Sequence, residues 1–252
     1  VGLTAKLSHP IMNYETMFSL KGKKALIAGA SRGIGLAIAK ATATQGAHTV
    51  LAARSTDVLD REVAALVDSG YSAEALALDI TDTASFPDFA QTVADTLTTT
   101  FGTDQFDYLV NNGGEGLYTM LADASEDQFD QMVDMHLRGP LFLTQKLLPL
   151  IVDGGRILNV STAFVRTTMA GYGLYAAAKA AQAALERVAE LNTQWEDMRG
   201  GARLALTITE LDEAVGILGK RASVYVSRQV IAEAAETLED LKIACPPPEP
   251  HF

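Results

Sequence analysis

Lys24-Ala25-Leu26-Ile27-Ala28-Gly29-Ala30-Ser31-Arg32-Gly33-Ile34-Gly35 decides how this chain folds. Its first five residues are a short apolar run, and Gly29 opens a glycine-rich turn. From residue 33 to 45 the apolar residues fall at helical spacing, and Gly46 supplies a stop. The stretch predicts strand, tight turn and helix in succession. Apolar runs recur at 48–53, 73–78, 108–110, 156–160 and 202–208, with helical segments between them. Strands alternating with helices predict an α/β fold, a doubly wound parallel sheet covered by helices on both faces. Ser125 with Gln128 three residues later is a capping-box pattern opening a long apolar helix that runs through Phe142 and Leu147, with a kink expected at Pro140.

The bulk composition agrees with one folded domain. Of the 252 residues 48% are hydrophobic and 20% charged, a profile of a globular chain rather than a disordered or fibrous one. No repeat or linker divides it, so a single domain is expected over residues 21–244. An extension precedes it at 1–20, with a natural-looking start at Met17, and a Pro-rich tail follows at 245–252. The net charge of -11 and the lack of any Lys/Arg run disfavour nucleic acid and anionic membrane surfaces as partners. The single cysteine, Cys245, excludes an intramolecular disulfide and a thiolate cluster, and His9, His48, His136 and His251 are too scattered for metal-ligand spacing. No stretch approaches the ~20 apolar residues of a membrane span, and a cytoplasmic protein is expected.

The glycines have a mechanical reason. A turn without Cβ atoms lets backbone N–H groups and a helix N-terminus approach a pyrophosphate, and this turn follows a strand and opens a helix, the context a dinucleotide site requires. At the end of the second strand an NAD-preferring site usually carries an acid, whereas this chain has Arg54-Ser55, with Arg32 inside the glycine turn. Two guanidinium groups suit a 2′-phosphate, so NADP(H) is the expected cofactor. Further along, Tyr175 and Lys179 stand four apart in Tyr-Ala-Ala-Ala-Lys. On a helix they share a face, and an ammonium beside a phenol favours the phenolate, making Tyr175 an acid/base candidate.

These ordered motifs resemble the short-chain dehydrogenase/reductase family, with its Rossmann-like fold, over residues 20–191 and weakly over 211–231. The residues from Gly29 through Ser31, Arg32, Gly33 and Ile34 to Gly35 match its glycine turn, with Ala28 where Thr is usual. Asp79-Ile80 match the adenine contact, and Asn111-Asn112-Gly113-Gly114 match the Asn-Asn-Ala-Gly after the fourth strand. The resemblance implies hydride transfer between nicotinamide and a carbonyl or secondary alcohol. It makes Tyr175 the acid/base, and Lys179 the residue that holds the ribose and lowers the phenol pKa. Thr162 stands thirteen residues before Tyr175, where the family has its catalytic serine, with Ser161 beside it. His136 stands where the family has an asparagine supporting a water relay; it reads equally as a relay and as a packed core histidine. The resemblance also implies a homodimer or homotetramer packed through long helices, to which the Ala-rich face at 176–184 is suited.

The C-terminal third departs from the family. The Asn and Pro-Gly after the sixth strand are missing, the substrate lid after Glu210 is shortened or absent, and Arg228 replaces an expected glycine. The primary reading is an NADPH-dependent carbonyl reductase or alcohol dehydrogenase. The alternatives are a catalytically weak NADP(H)-binding sensor, scaffold or inactive subunit, and an enzyme of a related dehydration or isomerisation.

Overall fold

Lys24–Ala28 (β1) is buried because it lies in the middle of the sheet: Ala25, Leu26, Ile27 and Ala28 are each no more than 1% exposed. The computed structural model describes residues 18–167, 169–197 and 205–206, with side chains through residue 186. After β1 come α1 (Gly33–Thr44), β2 (His48–Ala53), α2 (Thr56–Asp68), β3 (Ala73–Ala77), α3 (Phe86–Phe101) and β4 (Phe106–Asn111). Then follow α4 (Glu126–Val133), α5 (Gly139–Leu147), β5 (Ile151–Asn159), α6 (Gly173–Asp197) and β6 (Ala205–Leu206). All strand pairings are parallel, in the order β3-β2-β1-β4-β5-β6. This is the doubly wound α/β sheet the alternation predicts.

Each central strand feeds two cores, because successive side chains point to opposite faces. Leu26 and Ala28 of β1, Val50 and Ala52 of β2 and Leu109 of β4 pack with Phe86, Phe89, Val93 and Leu97 of α3 and Leu143 and Leu147 of α5. Ala25, Ile27, Leu51, Ala53 and Val110 turn the other way, to Ala39 and Ala43 of α1 and Leu59 and Leu66 of α2. Near-continuous apolar runs in these strands follow from having no solvent face.

The structure departs from the sequence reading in two places. β5 starts at Ile151, well before the apolar run at 156–160, because Asp153-Gly154-Gly155 interrupts the pattern while the register with β4 shifts between Phe106 and Tyr108. The expected kink at Pro140 is replaced by a π-helical turn, Asp134–Arg138, joining α4 to α5. Pro140 lies just beyond it in the first turn of α5, where its missing N–H costs little. The capping box at Ser125 and Gln128 forms in both directions. The expected extension through residue 17, the shortened lid, Arg228 and the tail with Cys245 lie outside the described residues. Among the described residues, no helix is long and apolar enough to cross a membrane.

The start of α5 is pressed against the turn that follows β3. A Cβ added to Gly139 would lie 2.0 Å from the Ile80 carbonyl oxygen, whereas one added to Gly173, at the start of α6, meets nothing within 4 Å. Gly139→Ala is therefore expected to lower unfolding stability by about 3 kcal/mol, and Gly173→Ala to change it by less than about 1 kcal/mol. Urea denaturation of both variants checks this; equal midpoints would disprove the close contact at Gly139.

Candidate active site

The strand order reverses direction at β1, so the crevice beyond the carboxyl ends of β1 and β4 is the natural ligand site of such a sheet. Gly29 has φ +83°, and a Cβ on it would lie 2.5 Å from the Gly113 backbone. A Cβ on Gly35 would lie 2.1 Å from the Gly29 oxygen, and the Asn112 side chain donates to that oxygen at 2.9 Å. The two turns are thus locked backbone to backbone. Gly33, at φ +60°, faces open space, and the first turn of α1 carries no acidic residue and no side-chain cap on its N–H groups. Uncapped N–H groups with the positive end of a helix dipole fit an anion.

Two adjoining cavities occupy the crevice. The first, of about 410 Å³, is lined by Gly29, Ser31, Arg32, Arg54, Ser55, Asp79, Ile80, Asn112 and Gly113, among others. The second, of about 330 Å³, shares Arg32, Asn112, Gly114 and Glu115 with it and is lined also by Gly33, Ile34, His136, Ser161, Tyr175 and Lys179. Shape, charge and the open face of Gly33 fit a dinucleotide stretched across both. Two predicted contacts fall elsewhere. Gly35 serves close packing and lines neither cavity. Asn111 is 4% exposed and directs its amide to Thr144 and Asn159 at 3.0 and 2.8 Å, under the site rather than in its wall. Asn112 is the one that faces the crevice.

Burial works against the Asp79 charge, but hydrogen bonds from the Thr81 N–H and hydroxyl, at 3.0 and 2.8 Å, together with the Arg54 charge, hold its carboxyl below the ordinary range. Arg32 stands 4.0 Å from the Glu115 carboxylate, with the guanidinium largely exposed.

The Tyr175 phenol differs from the sequence expectation. Burial pushes the Tyr175 phenol up, with a hydrogen bond from Thr162 opposing it. Lys179 is 5% exposed and donates to the Val160 carbonyl at 2.9 Å and to Gln182 at 3.1 Å. Burial lowers its pKa to about 8, against the charge of Glu186, which raises it. The ammonium is thus held by a carbonyl and an amide, and the phenol pKa is raised rather than lowered, with burial as the larger cause and Thr162 opposing it. Thr162 also accepts from the Phe164 N–H at 3.3 Å and lines neither cavity, whereas the buried Ser161 hydroxyl, without a hydrogen-bond partner among the described residues, belongs to the second cavity wall.

His136 lies in the π-helical turn, 1% exposed, its ring edge-on to Tyr175 at 5.0 Å between centroids. Its Nε2 is 2.8 Å from the Glu115 carbonyl oxygen, so this nitrogen carries the proton and Nδ1 holds a lone pair, buried and unpartnered among the described residues. Burial and the Lys179 charge lower its pKa to about 4. Gly114 makes room for it: a Cβ there would lie 2.4 Å from the ring. The residues sequence reasoning missed are Glu115, Gln182 and Glu186. The last two were visible as polar positions three and seven after Lys179, on one helix face.

The family model of short chain dehydrogenases matches residues 23–199. The chain belongs to the short-chain dehydrogenase/reductase family of oxidoreductases. It is 32% identical over 173 residues to a fatty acyl-CoA reductase of Acinetobacter baylyi, a match covering 67% of this chain and 57% of that protein. Among solved structures it resembles landomycin C-6 ketoreductase LanV with bound NADP and rabelomycin, with TM-score 0.66 and 28% identity, covering 72% of this chain and 73% of that one. It also resembles 7α-hydroxysteroid dehydrogenase complexed with NADH and 7-oxo glycochenodeoxycholic acid, with TM-score 0.63 and 29% identity, covering 69% and 67%. The short-chain dehydrogenase fold thus accommodates both nicotinamide cofactors in its relatives.

A histidine whose folded pKa is about 4, against an ordinary 6.5, stays neutral in the folded protein while the unfolded chain takes up a proton. Its contribution is complete above pH 6.5 and is lost as the pH falls from there toward 4. Between pH 7 and 5 the protein is expected to lose about 2 kcal/mol more unfolding stability than His136→Asn does. Urea titrations of both at the two pH values check this, and parallel losses would exclude a neutral buried His136.

Proposed function

We propose that this short-chain dehydrogenase is an NADPH-dependent carbonyl reductase or alcohol dehydrogenase, working as one domain over residues 21–244. What carries the reading is that Tyr175, Lys179 and His136 line a cavity continuous with a glycine-built, arginine-flanked crevice. Gly29, Ser31, Arg32, Gly33 and Ile34 would hold the pyrophosphate, Arg54 and Arg32 with Ser55 the 2′-phosphate, and Asp79, Ile80 and Gly113 the adenosine half. When bound, NADPH supplies the hydride to the carbonyl carbon. Tyr175, kept protonated by burial, gives its proton to the carbonyl oxygen as that oxygen takes up the electron pair of the broken π bond. Thr162 hydrogen-bonds the phenol and fixes its direction. Lys179, with a pKa of about 8, is mostly charged at neutral pH and offers the positive field that steadies the phenolate left behind. His136 packs edge-on against the Tyr175 ring and keeps an acceptor nitrogen free for a proton-relay water.

The Lys179 contacts with Val160 and Gln182 favour a second reading, a catalytically weak NADP(H)-binding protein. Tyr175→Phe separates the two. For the reductase, turnover of a carbonyl substrate falls at least ~100-fold with nucleotide affinity kept; a binding module behaves as before. The single Cys245 suits a cytoplasmic protein, and exposed Phe129, Leu141 and Phe142 suit assembly into a homodimer or homotetramer.

The cofactor preference rests on the arginines. Arg54→Asp combined with Arg32→Ala is expected to weaken NADPH binding at least tenfold and to leave NADH binding little changed. Titration by nucleotide fluorescence decides this; an unchanged preference for NADPH would remove both arginines from the 2′-phosphate site.

A further inference from the structure

Three further aromatic rings run outward from the acid/base tyrosine. Phe164 meets Tyr175 edge-on at 6.3 Å, Tyr172 lies against Phe164 at 5.1 Å, and Tyr118 meets Tyr172 edge-on at 5.5 Å. The geometry of the last pair is built in. Thr119 N–H donates to the Gly171 carbonyl at 2.8 Å, clipping the loop after β4 to the loop before α6. Gly171 has φ +84°, and a Cβ there would lie 2.3 Å from the Tyr118 ring, so Tyr118 lies where only glycine admits it. The line adjoins the second cavity, because a Cβ on Gly116, in that cavity's wall, would be 3.6 Å from the Tyr172 ring.

The outer end is open and apolar. Tyr118 is 64% exposed, and Met169, Met120 and Leu121 nearby in sequence are 55%, 47% and 83% exposed. Adjacent exposed apolar side chains on two clipped loops mark a contact surface. Rings in edge and tilted contact present faces and edges to a further ring.

We infer that the substrate is a ring-bearing apolar carbonyl compound whose carbonyl reaches Tyr175 and whose body lies along Phe164, Tyr172 and Tyr118, an assignment that rests on the reading of Tyr175 as acid/base. Tyr118 and Tyr172 then select for ring systems and against short aliphatic carbonyls.

The test compares 6-methoxy-2-acetonaphthone, a fluorescent two-ring ketone, with 2-butanone in the wild type, Tyr118→Ala and Tyr118→Phe, with NADPH. The wild type is expected to favour the naphthyl ketone at least tenfold in kcat/KM. Tyr118→Ala reduces that ratio about tenfold through KM rather than kcat, and Tyr118→Phe restores it. A ratio that Tyr118→Ala leaves unchanged overturns the assignment. Fluorescence anisotropy of the naphthyl ketone with the protein gives a second readout independent of turnover. If neither ketone is reduced, the carbonyl-reductase reading fails. In that event, binding that Tyr118→Ala weakens and Tyr118→Phe keeps still supports the aromatic path, and equal binding by all three proteins overturns it.

Discussion

The contact of Gly29 with the Gly113 backbone is the constraint on which the site depends. β1 and β4 are paired through Ala28 and Asn111, and just beyond that pair the two turns meet. They do so at a distance that leaves no room for a Cβ on Gly29, while Gly35 brings the first turn of α1 down onto the Gly29 carbonyl. The Asn112 amide closes the junction by donating to that same carbonyl. Polar backbone groups so placed must find partners, because a buried unpaired carbonyl costs as much as a lost hydrogen bond. Asn112 meets that need while the uncapped N–H groups of α1 remain directed at the crevice. The glycine turn is therefore half of a two-part structure, and its second part is the loop after β4.

The second balance is between burial and charge around Tyr175 and Lys179. An ammonium four residues from a phenol suggests a depressed phenol pKa, and that expectation treats the helix as if it stood alone in water. In the folded chain both groups are withdrawn from solvent, which penalises phenolate and ammonium alike. Lys179 recovers part of its loss from the Val160 carbonyl, the Gln182 amide and the Glu186 charge. For Tyr175, a hydrogen bond from Thr162 opposes the burial. A phenol so placed holds its proton, which suits donation to a carbonyl oxygen more than abstraction from an alcohol.

Most of the sheet was legible because its central strands have no solvent face, and unbroken apolar runs are what such strands require. β1, β2 and α1 lie within a residue of where the pattern puts them. The start of β5 was hidden because Asp153, Gly154 and Gly155 interrupt the apolar pattern, although in the structure they are strand residues beside a register shift. The π-helical turn was invisible for another reason: Pro140 is a strong local signal, but the distortion lies in the turn before it. The Asn111-Asn112 pair is instructive. Neighbours at a strand end point to opposite sides, so only one of them can face the crevice, and a motif match cannot say which. The partners decided it, with Thr144 and Asn159 taking Asn111 into the core and the Gly29 carbonyl taking Asn112 across the junction.

His136 shows how one substitution reorganises its surroundings. An imidazole is bulkier than the asparagine amide the family pattern places there, and it occupies a wholly buried position beside a buried ammonium. A charged ring would meet both desolvation and the Lys179 charge, so the neutral form is the one the fold selects. Neutrality then obliges one nitrogen to donate and the other to accept. The Glu115 carbonyl takes the donor, and this fixes the tautomer and turns Nδ1 into an acceptor beside the Tyr175 ring. Room for the ring comes from Gly114, whose missing Cβ would otherwise lie inside it. The second Gly in Gly113-Gly114 thus lines the crevice and also makes room for the histidine packed against it, and Gly114 and His136 form a single steric unit.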